Sequence, residues 1–411
     1  MPPRHSPHLA FWRRAVRIGL LGVLALAGLS CAPLPPASRP HPTPPPASAP
    51  VPVAPPEGKT IEPSEPSGVI ITPIPAPSQP PVSTPGAVRP PTTPGLIALV
   101  LPLDSPSFAR AADAVRAGFL DAAEAAGQKN NSIVIAHGDD GVIQAFQEAI
   151  KRGARVIVGP LVRDDLKTVA ISGLDLPWTL ALNQIDDGTP LPPQVFTLAL
   201  TVESDARFLA RRAHSDGAKT VDVIEGDSPL MKRLATSFAQ EWVHGGGSPP
   251  ADYPLDASGD GLTNLRRSLQ KAVPDAVLLA VNTQRAALVK PFLPPVGAYA
   301  SGLVFERPDP ALAHDLDDIR VVDIPWLVTP TAPQFAELPR RDYPSAALAR
   351  LYALGLDAFR VARAFNPDPP RRFELDGAIG HISLGPAQQF QREGVLAVYR
   401  DGQLTPFDAP R

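Results

Sequence analysis

Residues 96–127, LIALVLPLDSPSFARAADAVRAGFLDAAEAAG, constrain the fold most. Their opening run, residues 96–103, is apolar and short enough for a strand buried on both faces, the pattern of a parallel sheet covered on either side by helices. Asp104, Ser105 and Pro106 follow, with Ser105 placed to cap a helix and Pro106 to begin it. Phe108, Ala112, Val115 and Phe119 then recur at helical spacing and give one apolar face. The segment therefore reads strand, tight loop, helix. In open parallel sheets ligands sit at loops that leave the carboxyl ends of strands, which makes Ser105 and Ser107 candidate cleft-lining residues. Capping alone accounts for the same two serines.

The alternation continues. Strands are expected at 132–136, 155–158, 176–182 and 195–200, and helices at 141–153 and 164–172. Gly159 begins the loop after one of these strands and Asn183 ends another, so both join the candidate cleft residues; Asn183 reads equally well as a turn former. A first crossing between lobes is expected after residue 200. A second series follows, with helices at 203–216, 229–244, 261–272 and 286–292, strands at 219–224, 276–281 and 320–324, and a strand or its remains at 297–301. Residues 343–365 carry the longest helical pattern, and residues 377–404 read as strand pieces returning to the first lobe. The expected fold is α/β and two-lobed, each lobe a mostly parallel sheet flanked by helices. Lobe 1 takes about residues 96–201 and 326–411, lobe 2 about 202–325.

Upstream the chemistry changes. Residues 1–30 have a positive front, Arg4, Arg13, Arg14 and Arg17, then an apolar core too short for an ordinary membrane span, as in a secretory signal peptide. Cys31, the only cysteine of the chain, stands at its end. Ala27-Gly28-Leu29-Ser30-Cys31 resembles a bacterial lipobox, with Gly28 where Leu is commoner, and implies cleavage before Cys31 and its lipidation. A soluble protein cut nearby and an uncleaved anchor are the alternatives. Residue 32 is Ala, not Asp, which by the sorting rule of Gram-negative lipoproteins implies transfer to the outer membrane, facing the periplasm. Residues 31–95 are the expected disordered, Pro-rich linker: roughly a third of it is proline, and it has no aromatic residue to seed a core. Fully extended at about 3.1 Å per residue it would reach on the order of 200 Å.

The net charge of −3 gives no polycationic signature for nucleic acid. One cysteine excludes an intramolecular disulfide. No G-x-S-x-G elbow, H-E-x-x-H pair or phosphate-binding glycine loop is present, so no catalytic residue, metal or cofactor is expected. His137-Gly138-Asp139-Asp140 reads as a polar turn rather than a metal site, and Asp315, Asp317 and Asp318 as a solvated helix end.

Several weak motifs in the right order resemble one family. The loop P-L-x-S-P leading into A-x-x-x-R-x-G-F, the strand end V-I-V-G-P-L, the strand L-A-L-N, Ser204-Asp205-Ala206-Arg207, and above all R-L-Y-A-L-G-x-D-A-F are similar to the penicillin-binding-protein activator lipoproteins. Those proteins carry a type I periplasmic-binding-protein-like domain. Longer members add a helical repeat domain ahead of it; nothing of that kind precedes residue 95, so a short form is expected. The resemblance implies a non-catalytic regulator that binds a bifunctional penicillin-binding protein, a peptidoglycan synthase, from the outer membrane. The alternative is a tethered receptor whose lobes close on an amino acid or similar small molecule. Such a receptor needs hydroxyls and an acidic anchor converging on the cleft. Ser105, Ser107 and Asn183 supply the polar groups, and no acidic anchor is evident. A small-molecule ligand is therefore not expected.

Overall fold

The computed structural model describes residues 95–365 and 368–407; the leader, Cys31 and the proline-rich stretch lie outside the described residues. Strand β1 (Ile97–Leu101) is buried at every position, as its unbroken apolar sequence requires. It runs parallel between β2 (Ser132–Ala136) and β3 (Val156–Val158), and β4 (Trp178–Ala181) and β5 (Val195–Leu198) continue the sheet in parallel. Helix α1 (Ala109–Ala125) packs on one face; α2 (Val142–Lys151) and α3 (Arg163–Ala170) pack on the other.

Helix α1 starts at Ala109, later than Pro106 leads one to expect. Ser105 is fully buried, and its Oγ accepts from the Phe108 amide at 3.2 Å while its carbonyl accepts from Ala109 at 2.9 Å. It thus closes a turn ahead of the helix instead of capping the helix itself. Phe108 consequently sits outside the helix, 40% exposed, and not on its apolar face.

After β5 the chain passes to a second sheet through α4 (Val202–Ser215). The second series is β6 (Val221–Glu225), α5 (Pro229–His244), β7 (Ala251–Pro254), α6 (Gly259–Lys271), β8 (Ala276–Ala280), α7 (Thr283–Val289), β9 (Gly297–Ser301) and β10 (Ile319–Asp323). Its helices begin at side-chain caps: Thr201, Ser228, Ser258 and Asn282 each accept from the amide three residues on. The short α8 (Pro325–Val328) and the long α9 (Ala346–Arg363) then return to the first sheet, with Ser345 capping α9.

The chain ends in five short strands: β11 (Glu374–Asp376), β12 (His381–Leu384), β13 (Gln389–Glu393), β14 (Val395–Arg400) and β15 (Gln403–Pro406). The first sheet has the order β11-β12-β13-β5-β4-β3-β1-β2, the second β15-β14-β10-β9-β8-β6-β7. Both are mostly parallel, with antiparallel pairs confined to the C-terminal strands. This corrects the expectation that all of residues 326–411 return to the first lobe. β14 pairs antiparallel with β10, Arg320 opposite Val398, and carries β15 with it into the second sheet. The reason is burial: Ala397, Val398 and Tyr399 are buried there, on a β10 edge that has no other partner. Gly394 makes the crossing, where a side chain would meet the Asp323 carbonyl at 2.8 Å.

Helices α1 and α9 pack backbone against backbone. A Cβ at Gly118 would lie 2.0 Å from the Tyr352 carbonyl oxygen, and one at Gly355 would lie 2.1 Å from that of Val115. With α1 on one side and the rest of the first-lobe core on the other, α9 is buried nearly all round through its middle turns, Tyr352 to Phe359.

Candidate functional site

The carboxyl ends of β1, β2, β3 and β4 lie side by side, so their loops form one lip of the space between the lobes. Ser105 and Ser107 come from the first loop, Gly159 from the third and Asn183 from the fourth. Sheet order brings all four to the same edge of the sheet. Their surroundings differ. Ser105 is buried and engaged with its own turn, and Ser107 is exposed. Gly159 has φ +118°, and a Cβ there would meet the Val100 carbonyl at 2.2 Å, so glycine lets the loop leave against β1. Asn183 stitches two loops together: its Nδ2 donates to the Leu161 carbonyl at 2.8 Å and its Oδ1 accepts from the Gln184 amide at 2.9 Å.

His137, at the end of β2, is buried, and its Nδ1 donates to the Gly138 carbonyl at 2.8 Å. Near it Asp165 on α3 is also buried. Burial pushes its carboxyl above the ordinary carboxylate range, against the pull of His137. His137, Asp139 and Asp140 do not come together as a metal-ligand set. Among the described residues the one group of that kind is His314, Asp317 and Asp401, at the far hairpin of the second sheet. Asp317 already accepts there from the Gly402 amide at 2.9 Å.

The two lips meet in an ion network that sequence reasoning missed. Arg163 at the start of α3 holds Asp186 at 2.7 Å, and Lys167 holds Asp187 at 2.7 Å. From the second lobe Arg233 on α5 approaches Asp186 at 3.8 Å while binding Glu203 on α4 at 2.6 Å. All of these groups are partly exposed, so each pair contributes little stability by itself.

Deeper between the lobes the charges are buried. Arg350 on α9 donates to both carboxylate oxygens of Asp323 at the end of β10, at 2.9 and 2.7 Å, and to the Phe305 carbonyl at 3.1 Å. Asp323 Oδ1 also accepts from the Ile324 amide at 2.7 Å. Beside this pair Arg392 on β13 bonds Asp205 on α4, whose second oxygen accepts from Ser301 Oγ at 2.5 Å. Arg392 also donates to the Ile379 carbonyl at 3.2 Å. All four charged side chains are more than nine-tenths buried, two of each sign. Burial raises Asp205 above the ordinary carboxylate value, opposed by Arg392 and Ser301. Burial disfavours the charged form of Arg350, and Asp323 outweighs it, so Arg350 stays protonated. Each pair joins the two lobes, so relative movement of the lobes must break charge-assisted hydrogen bonds between buried groups. The sequence did carry a signal: Asp205 and Arg350 both lie inside the family-like motifs, S-D-A-R and R-L-Y-A-L-G-x-D-A-F.

The groups gathered here position backbone and hold lobes. Comparison with known proteins agrees with the fold. Penicillin-binding protein activator LpoA of Enterobacter sp. (strain 638) is 25% identical over 311 residues, 64% of this chain and 42% of that protein. The protein of the same name from Edwardsiella ictaluri is 26% identical over 393 residues, 80% of this chain and 55% of that one. The chain thus spans about half the length of these curated relatives. Among solved structures, one from Chromobacterium violaceum, described as a "putative branched-chain amino acid ABC transporter", is 30% identical with a TM-score of 0.64, covering 74% of this chain and 99% of that one. The C-domain of LpoA from Haemophilus influenzae, described as a regulator of PBP1A, shares the fold at 22% identity and a TM-score of 0.65, covering 76% and 99%. Residues 91–252 and 256–402, which take in both lobes, match the family described as "LppC putative lipoprotein", and the chain belongs to that family.

Proposed function

We propose that this protein is a lipid-anchored, non-catalytic activator of a peptidoglycan synthase, held at the outer membrane and facing the periplasm. The observation that carries the reading is the family match across both lobes, together with relatives named as penicillin-binding protein activators. The partner is a bifunctional penicillin-binding protein. Activation of this kind requires the protein to bind an active conformation of the synthase more tightly than an inactive one. A scaffold whose lobes are joined by buried charge pairs suits that task, because it presents a fixed surface. The cleft residues favour the same reading: the polar groups of Ser105 and Asn183 are engaged with backbone.

Lipidation at Cys31 anchors the chain, and the proline-rich residues 32–94 carry the folded part away from the membrane. Cys31→Ser is expected to move the protein from the membrane to the soluble fraction and to abolish metabolic palmitate labelling. Labelling that persists in the variant contradicts the assignment.

The second reading is a tethered solute receptor, favoured by the 30% identity to the Chromobacterium structure. Titration calorimetry against an amino-acid pool, beside a pull-down with the bifunctional synthases of the same cell, separates the two. Synthase capture without heat of amino-acid binding is the expected outcome. Saturable amino-acid binding without capture overturns the activator reading.

A further inference from the structure

Strand β7 is the outer strand of the second sheet, paired only with β6. A groove of about 570 Å³ runs between it and α5. Val223 and Ala235 form the apolar floor, both buried, and Ala239 and Val243 on α5 form one wall. Val243 is 44% exposed, a large apolar side chain left at the surface. Glu225 at the end of β6, Asp252 on β7, and Thr236, Gln240 and Pro250 complete the groove. No lysine or arginine lines it, and neither carboxylate has an ion pair among the described residues. Lys232 acts on Glu225 only from a distance; burial and the neighbouring Asp252 raise the Glu225 carboxyl above its ordinary value.

Two carboxylates over an apolar floor are complementary to a cationic side chain with an aliphatic stem. Lysine and arginine lay their methylene stems on apolar surface and keep the charge at the rim. The groove is open along the exposed Val243 wall, whereas small-molecule pockets enclose most of their ligand. Pro250 and Pro254 bracket β7 and remove backbone donors at its edge, so strand addition is blunted and side chains must make the contact.

We propose that the α5–β7 groove is the docking surface for a basic, aliphatic segment of the synthase, a Lys or Arg of which meets Glu225 and Asp252 while its neighbour packs on Val223 and Val243. The proposal rests on the activator reading and adds the surface through which it works. No residue of the interlobe cleft takes part.

The test uses the full chain and three variants: Glu225→Lys with Asp252→Lys, Glu225→Gln with Asp252→Asn, and Val243→Asn. Thermal unfolding establishes that each is folded, and binding to the purified bifunctional synthase is measured at low and high salt. Charge reversal is expected to weaken binding by about tenfold or more, with neutralisation intermediate and the wild-type affinity falling as salt rises. Val243→Asn is expected to weaken binding with little change in its salt dependence. If the wild type binds the synthase and all variants bind it equally, the surface is wrong and the activator reading stands. If the wild type binds no synthase, both fall. Sedimentation that shows a wild-type oligomer lost in the charge-reversed variant assigns the groove to a second copy of this chain and overturns the proposal.

Discussion

Arg350 and Asp323 meet in the interior with every near donor and acceptor accounted for, and their worth lies in geometry more than in stability. Removing one partner of such a pair leaves a buried charge and costs about 3–5 kcal/mol, whereas replacing both with apolar residues of similar size is often neutral. Arg350→Met is therefore expected to lower denaturant stability by that amount, and Arg350→Met with Asp323→Leu to recover most of it. A double variant as unstable as the single one contradicts the assignment. Asp121 on α1 offers a second test, through pH. Burial works to raise its carboxyl, but hydrogen bonds from Arg341 and Tyr352, at 2.6 and 2.8 Å, outweigh this and hold it below the ordinary value. A depressed carboxylate contributes stability above its unfolded value, near 3.8, and loses it as pH falls through the folded value. Stability of the wild type should therefore decline more steeply below about pH 4 than that of Asp121→Asn, as measured by urea unfolding at stepped pH.

Among the elements, α1 and α9 are held at a distance that only glycine permits. Alanine at Gly118 or Gly355 gains about 1 kcal/mol of helix propensity. Against that, a Cβ some 2 Å from a carbonyl oxygen of the facing helix must push the pair apart. Gly118→Ala and Gly355→Ala are each expected to destabilise by about 1–3 kcal/mol net. Unchanged or raised melting temperatures contradict the close packing. The same elements show what could be read beforehand. Strands β1, β2, β3 and β8 announce themselves as apolar runs, and α5 has the bounds its cap and proline imply. Strand β7, Ala-Asp-Tyr-Pro, is largely exposed and gives only Tyr253 to the core, so nothing local marks it. Strands β11, β13 and β15 are short and polar, and exist because a neighbouring strand already presents an edge. For β14 the apolar run was legible as a strand piece, but such a run names a strand without naming its partner. At the candidate site, the loops holding Ser105, Gly159 and Asn183 were legible as strand ends. The pairing of Asp205 with Arg392, 187 residues apart, was not, because spacing along the chain carries no record of it.

For the whole molecule, two sheets joined at three crossings and by two buried charge pairs make a body suited to being recognised. The proposed role also asks that this body travel. A proline-rich stretch stays extended where a glycine-rich one of equal length coils, and a tether too short to span gives almost no effective concentration at the partner. Deleting about half of residues 32–94 is expected to abolish activation in cells and to leave the purified protein fully active, with function restored by a different proline-rich sequence of the original length. Full cellular activity with the short tether contradicts a spanning role. The central claim, that the folded body itself stimulates a peptidoglycan synthase, is tested most directly by the rate of glycan and peptide cross-link formation from lipid-linked precursor. The assay takes the purified bifunctional synthase of the same cell, with and without this protein lacking its lipid. A saturable rise in rate at a fixed stoichiometry is the predicted result; a rate unchanged at every concentration, with both proteins folded and the synthase active, would contradict it.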